Sequence, residues 1–264
     1  MSGAGNDFMV MDARGLLLDF SPLAKKLCTS YGADGLLALD TASDADFRLH
    51  FYNPDGSRGE MCGNGARCIC RFAYDHGIVG ESMTVRTDAG LVEGWRLSES
   101  QYKVKLNLPS VLELSRRSDA AYVELGYPGI PHALVEYPNL RFDRMADLLP
   151  YALDVRHDPV FPKGVNVSFY CILAPGKVRV LTYERGVEDY TLACGTGCGS
   201  IASVLRKKGQ LPEKVLTCEN RGGTLTITLE EADGALAGIY LEGPTEILSI
   251  HEIELCSKEH NSSI

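Results

Sequence analysis

Between Arg48 and Tyr52, and again between Lys177 and Tyr183, polar residues alternate with aliphatic, β-branched and aromatic ones. A period of two predicts a strand in each place. Downstream of each, the spacing changes: Ala66, Ile69, Phe72 and Ala73 in one segment, Ile201, Ala202 and Leu205 in the other, mark helical faces. Arg206, Lys207 and Lys208 complement the dipole of the second helix before Gly209 stops it. Thr84–Arg86 with Leu91–Leu97, and Val215–Cys218 with Thr224–Leu229, read as hairpins.

These two stretches are copies of one unit. Cys62 and Cys194 each open a Cys-Gly-x-Gly, each helical run stops at a glycine 15 residues later (Gly77, Gly209), and Gly90 and Gly222 lie 28 residues after the cysteines. A repeat separated by 132 residues describes two similar domains and not a solenoid. Strands dominate, with one strong helix per half, so the expected class is α+β. The expectation is two pseudo-symmetric domains, each a mostly antiparallel sheet around a central helix, with a cleft between them. The first domain is placed at residues 1–112 and the second at 113–246. A final strand near Glu246–Glu254, within 247–264, is expected to return to the first domain.

Composition narrows the function. The 264 residues are 45% hydrophobic, enough for a sizeable core, and carry 26 Lys+Arg against 35 Asp+Glu, a net charge of −9. That balance argues against nucleic acid as a partner. The uncharged stretch Tyr190–Leu205 is 16 residues with three glycines, too short for a membrane span. With no basic-then-apolar leader before Gly3, a cytoplasmic location is expected. Nine cysteines without any C-x-x-C speak against a disulfide framework, a zinc ribbon or a thioredoxin-type motif. Cys68, Cys70 and Cys198 read as helix-packing residues.

Each Cys-Gly-x-Gly puts a thiol at a helix start, where glycines admit a close ligand and the first N–H groups lack helical partners. The dipole, worth up to about 2 kcal/mol, is expected to lower each thiol by about 1.5 units from about 8.5. Two such thiols on opposite walls suit one reaction: a thiolate removes a proton from a carbon and the opposite thiol returns one to the other face. Helix-start N–H donors would stabilise the charge that moves onto the substrate carboxylate. No pyridoxal signature supplies another electron sink.

Seven ordered motifs then carry a resemblance: Gly3-Ala-Gly-Asn6-Asp-Phe8, Tyr52-Asn53-Pro-Asp-Gly-Ser57, Met61-Cys62-Gly-Asn64-Gly-Ala-Arg67, Pro131-His132, Val165-Asn166-Val167, Tyr183-Glu184-Arg185-Gly186 and Ala193-Cys194-Gly-Thr196-Gly. Together they resemble the diaminopimelate epimerase family, across nearly the whole chain. The resemblance implies a cofactor-independent isomerase, without metal or pyridoxal phosphate, that converts LL- to meso-diaminopimelate for lysine and peptidoglycan synthesis. It implies Cys62 and Cys194 as the acid–base pair and His132 and Glu184 as groups that tune them. Gly63, Asn64, Gly195, Thr196 and Asn6 would hold the carboxylate at the reacting centre. Asn53, Asn166, Glu184 and Arg185 would grip the distal head, Arg185 by a two-pronged contact. The expected partner is a small amino acid, and a homodimer is left open.

Two departures fall on the substrate-selecting side. Ile130 stands where the family often has Asn, and the loop between Arg185 and Cys194 is one residue longer than the common form. Alternatives therefore stay open: a racemase of another amino acid (histidine, broad-spectrum, or proline-racemase-like) on the same scaffold, or a non-catalytic amino-acid binder. A redox or metal protein lacks the ligand spacing.

Overall fold

The computed structural model describes residues 1–59 and 62–253. Its strands follow one scheme twice. In the first half Asn6–Asp12 runs parallel to Gly35–Asp40, which pairs antiparallel with Phe47–Tyr52, which lies parallel to Ser82–Thr87. Antiparallel Gly90–Arg96 and Gln101–Leu106 complete the series. In the second half Gly129–Glu136, Asn166–Ala174, Lys177–Glu184, Val215–Asn220, Gly223–Ala232 and Ala235–Pro244 repeat the same sequence of parallel and antiparallel pairings. Most pairings are antiparallel, and helices are few, so the α+β expectation holds.

The halves are joined edge to edge. Ala235–Pro244 pairs antiparallel with Gln101–Leu106, Ile239 opposite Leu106 and Leu241 opposite Val104. Position 112 falls inside the strand Pro109–Arg117, which pairs with Ala120–Gly126 of the second series. The strand expected at 246–254 is reduced to one bridge, Ser2 to Glu246; residues 247–253 form no strand, and 254–264 lie outside the described residues. The apolar run around Ile247 and Leu248 faces solvent, so it finds no sheet to bury it.

Among the described residues four α-helices form, two of them beyond the one strong helix expected per half. The central ones are α2 (Gly63–Asp75) and α4 (Gly195–Lys207), ending ahead of Gly77 and Gly209, both in the left-handed region. The others are α1 (Phe20–Tyr31), capped by Asp19 and closed by Gly32, and α3 (Met145–Arg156). Phe20, Ala24, Leu27 and Cys28 of α1 do recur at helical spacing and pack in a core of their own, so its signal was present but unread. The hairpin glycine matching Gly90 is Gly223, not Gly222: Thr87 pairs Gly90, and Asn220 pairs Gly223. Gly222 is needed elsewhere, since a Cβ there would stand 2.1 Å from the carbonyl oxygen of Ala4 in the other half.

The faces of α2 and α4 belong to a single core. Ala66, Ile69 and Ala73 from one, and Ile201, Ala202 and Leu205 from the other, share it with Val104, Leu106, Ile239 and Leu241 of the joining strands. At the centre, Leu241 lies against both helix starts. A Cβ on Gly63 would come 2.7 Å from Leu241 Cδ2, and one on Gly195 2.5 Å. The glycine after each cysteine thus allows both helices to begin against one buried side chain.

Candidate active site

A cleft of about 790 Å³ opens between the two helix starts. Asn6, Asn53, Cys62, Gly63, Asn64, Asn166, Glu184, Arg185, Cys194, Gly195 and Thr196 all line it. Of the residues singled out from the sequence, His132 alone does not: it is fully buried behind Thr196. Ile130 lines the cleft, an apolar wall where the family pattern offers an amide.

Cys62 and Cys194 occupy the N-cap positions of α2 and α4 with extended backbones. Neither caps its helix through the side chain. The nearby backbone N–H dipoles of Asn64 and Gly65 still favour charge on the Cys62 sulfur, and that of Gly197 favours it on Cys194. These donors pull each thiol down, as the helix-start argument requires. The expected net lowering is nevertheless reversed. Desolvation pushes the Cys62 thiol up and the Cys194 thiol well up, and the Glu184 carboxylate adds to both. Removing water from a would-be thiolate outweighs a few amide dipoles here.

Behind Cys194 stands a chain of hydroxyls and one imidazole. The Cys194 Sγ is 3.4 Å from Thr196 Oγ1, which is 3.0 Å from His132 Nε2. His132 Nδ1 is 3.4 Å from Ser168 Oγ, itself 3.0 Å from Thr182 Oγ1. Burial, aided by the Arg185 charge, drops the imidazole to about 3, so His132 is neutral at neutral pH. Glu184 lies on the other side. It accepts from Thr191 Oγ1 at 2.7 Å, while burial pushes its carboxyl up and the neighbouring Thr191 and Cys194 draw it back down in part.

The distal end is held by backbone contacts. Asn166 Oδ1 accepts from the Arg185 N–H at 2.8 Å, and Arg185 Nη1 donates to the Lys163 carbonyl at 2.7 Å. Asn53 Nδ2 donates to Ser57 Oγ at 3.0 Å in the turn after Phe47–Tyr52. The longer loop after Arg185 still borders the cleft through Gly186, Val187 and Thr191, while Glu188, at positive φ, pairs with Arg156 at 2.6 Å and accepts from the Gly186 N–H. Thr191, Ser168 and Asp34 (an acceptor for Asn6 Nδ2 at 3.3 Å) were missed from the sequence. Only Ser168 had a local signal, being two residues from Asn166 and on the same strand face.

Comparison with known proteins decides the family. The model of the family described as diaminopimelate epimerase matches residues 1–107 and 126–248. The chain belongs to the diaminopimelate epimerase family. Similar relatives of that name come from Chlorobaculum tepidum, 37% identical over 92% of this chain and 96% of the relative, and from Aquifex aeolicus, 36% identical over 92% of each. Among solved structures, a phenazine biosynthesis protein of the PhzF family from Bacillus anthracis superposes with a TM-score of 0.67 at 15% identity, covering 92% and 91% of the chains. A probable proline racemase from Agrobacterium radiobacter gives 0.63 at 21%, covering 86% and 77%. At these identities the two structures share the epimerase fold with this chain, and only that. No described helix is long and apolar enough to cross a membrane.

Proposed function

We propose that this chain inverts one α-carbon of diaminopimelate, interconverting the LL and meso forms, with Cys62 and Cys194 as the two bases. The reading rests on the pair of thiols at opposed helix starts lining one cleft, within a chain of this family. The substrate carboxylate sits against the first turns of α2 and α4, where unpaired N–H groups draw negative charge away from the carbon. One cysteine, as thiolate, takes the α-proton; the other, as thiol, delivers its proton to the opposite face. Desolvation that raises both thiols makes the thiolate a stronger base once formed, which suits a weakly acidic carbon. Asn53, Asn166 and Arg185 receive the distal head, and its product serves lysine and peptidoglycan synthesis in the cytoplasm.

The test is incubation with LL- and meso-diaminopimelate in heavy water, followed by chiral analysis and mass spectrometry. Deuterium should enter the inverted centre, and Cys62→Ala and Cys194→Ala should each abolish inversion while folding normally. Arg185→Leu should lose most of kcat/KM, since an unpaired desolvated carboxylate costs about 2–5 kcal/mol. Faster turnover of histidine or lysine would replace the substrate reading with a racemase. Turnover by either cysteine variant would refute the two-base mechanism.

A further inference from the structure

Arg67 stands five residues after Cys62 on α2 and is, among the described residues, the largest side chain wholly closed off from solvent. Nη1 donates to the Gly63 carbonyl at 3.3 Å and Nη2 to Asn64 Oδ1 at 3.0 Å, while Nε has no partner. No described Asp or Glu forms an ion pair with it, and the ionisable groups that act on it most strongly are the thiols of Cys68, Cys62, Cys198 and Cys70. A buried cation without a carboxylate partner is costly, and a thiolate beside it would offset that cost.

The matching position of the second half is Gly199, where a Cβ would meet Leu106 Cδ1 at 3.0 Å and Ile239 Cγ2 at 3.4 Å. Apolar packing fills the place that the guanidinium takes in the first half. Gly243 makes that room: a Cβ there would stand 3.1 Å from Arg67 Cζ. The pseudo-symmetric site therefore has a cation behind one cysteine only. Of the four thiols around Arg67, Cys62 alone lines the cleft. Burial pushes Cys68 and Cys70 up to about 12, and Cys198 sits against Asn220 in the core.

We propose that Arg67 is a positioning residue that makes the two thiols unequal, balancing a thiolate on Cys62 while Glu184 holds Cys194 as the thiol. This rests on the acid–base reading of the cysteines. In the forward step the Cys62 thiolate takes the α-proton and Cys194 gives up its own, leaving Cys62 protonated and Cys194 as thiolate. A proton then passes from Cys62 to Cys194 through solvent, and Arg67 draws that exchange back to the starting state. The groups facing Cys62 are the Asn64 and Gly65 N–H donors and Arg67, which favour the thiolate, and Glu184, which opposes it. Those facing Cys194 are Glu184 and Cys198, which oppose the thiolate, and Thr196 and the Gly197 N–H, which favour it.

Alkylation by iodoacetamide across a pH series, with the two cysteine peptides quantified by mass spectrometry, tests this without turnover. In the native chain Cys62 should reach half-maximal rate at lower pH than Cys194. Arg67→Met should raise the Cys62 midpoint by about one unit or more and leave that of Cys194 in place, and Arg67→Lys should restore most of the shift. Equal midpoints in the native chain, which can be read even if the Met variant does not fold, would overturn the proposal. So would an unmoved Cys62 midpoint in folded Arg67→Met. Failure of the acid–base reading would show separately, as turnover by Cys62→Ala.

Discussion

Asn64 Nδ2 donates to the carbonyl of Ala193 at 3.1 Å, tying the helix start after Cys62 to the residue that precedes Cys194. The two residues are 129 apart in the chain, and the same amide also donates to Asn6 Oδ1 at 2.5 Å. Its oxygen, accepting from Arg67, fixes which way the amide points. The separation of the two cysteines is thus set by a hydrogen bond as well as by the joining strands.

Asn64→Ala should strand the Ala193 carbonyl and the Arg67 guanidinium. Leaving buried partners unmade costs about 1–3 kcal/mol each. The expected outcome is a lower Tm together with a kcat/KM reduced by about tenfold or more, since 1.4 kcal/mol is one decade. Steady-state kinetics with an unchanged kcat/KM would refute the bridging role.

Gly195→Ala should overpack the buried Leu241 and destabilise by about 1–3 kcal/mol. Leu241→Ala alone should cost about 2–5 kcal/mol by leaving a cavity. Because both changes act at one contact, the double variant should be less destabilised than the two separate losses added together. Urea unfolding of the four proteins measures the coupling, and simple additivity would show that Leu241 does not set the helix start.

His132 imposes a pH dependence on stability. The unfolded chain takes up this proton near 6.5 and the folded one only near about 3, so stability is lost as pH falls through that window. His132→Gln should be less acid-sensitive than the native chain between pH 6.5 and 4. Parallel urea midpoints across the series would mean that the imidazole is accessible to protons in the fold.

Glu184 acts in the opposite sense. Its folded carboxyl is raised, so the protonated form is favoured by folding and the charged form at neutral pH is a stability cost. Glu184→Gln should therefore be more stable than the native chain at pH 7, with the margin vanishing below about 4.5. The same change should move the Cys194 alkylation midpoint to lower pH, because a like charge beside that thiol is gone. Lower stability at pH 7 would contradict the burial argument.

Much of the site was legible because it is local. Cys62 and Cys194, with the glycines that follow them, announce two helix starts, and a helix start presents unpaired N–H groups wherever it occurs in a fold. The repeat carried the α+β pairing scheme for the same reason: alternation and turn glycines act over a few residues. The distal residues Asn53, Asn166 and Arg185 were legible only through ordered motifs that resemble a family.

What the tertiary structure decided is everything that depends on burial and on distant partners. The sign of the thiol shifts turned on desolvation, which no spacing reveals; amide dipoles lower Cys62 and Cys194, and the enclosing walls raise them further. The contacts of Thr196 with His132 and of Leu241 with two glycines join residues far apart in the chain. Arg67 belongs to the same class. In the sequence it is a charged residue in a helix, ordinarily a solvated one, and only the packing of the joined sheet around α2 and α4 makes it a buried cation beside a thiol. Local periodicity dictates where the chain turns and which residues begin a helix, whereas electrostatic character follows from how much water the rest of the chain excludes.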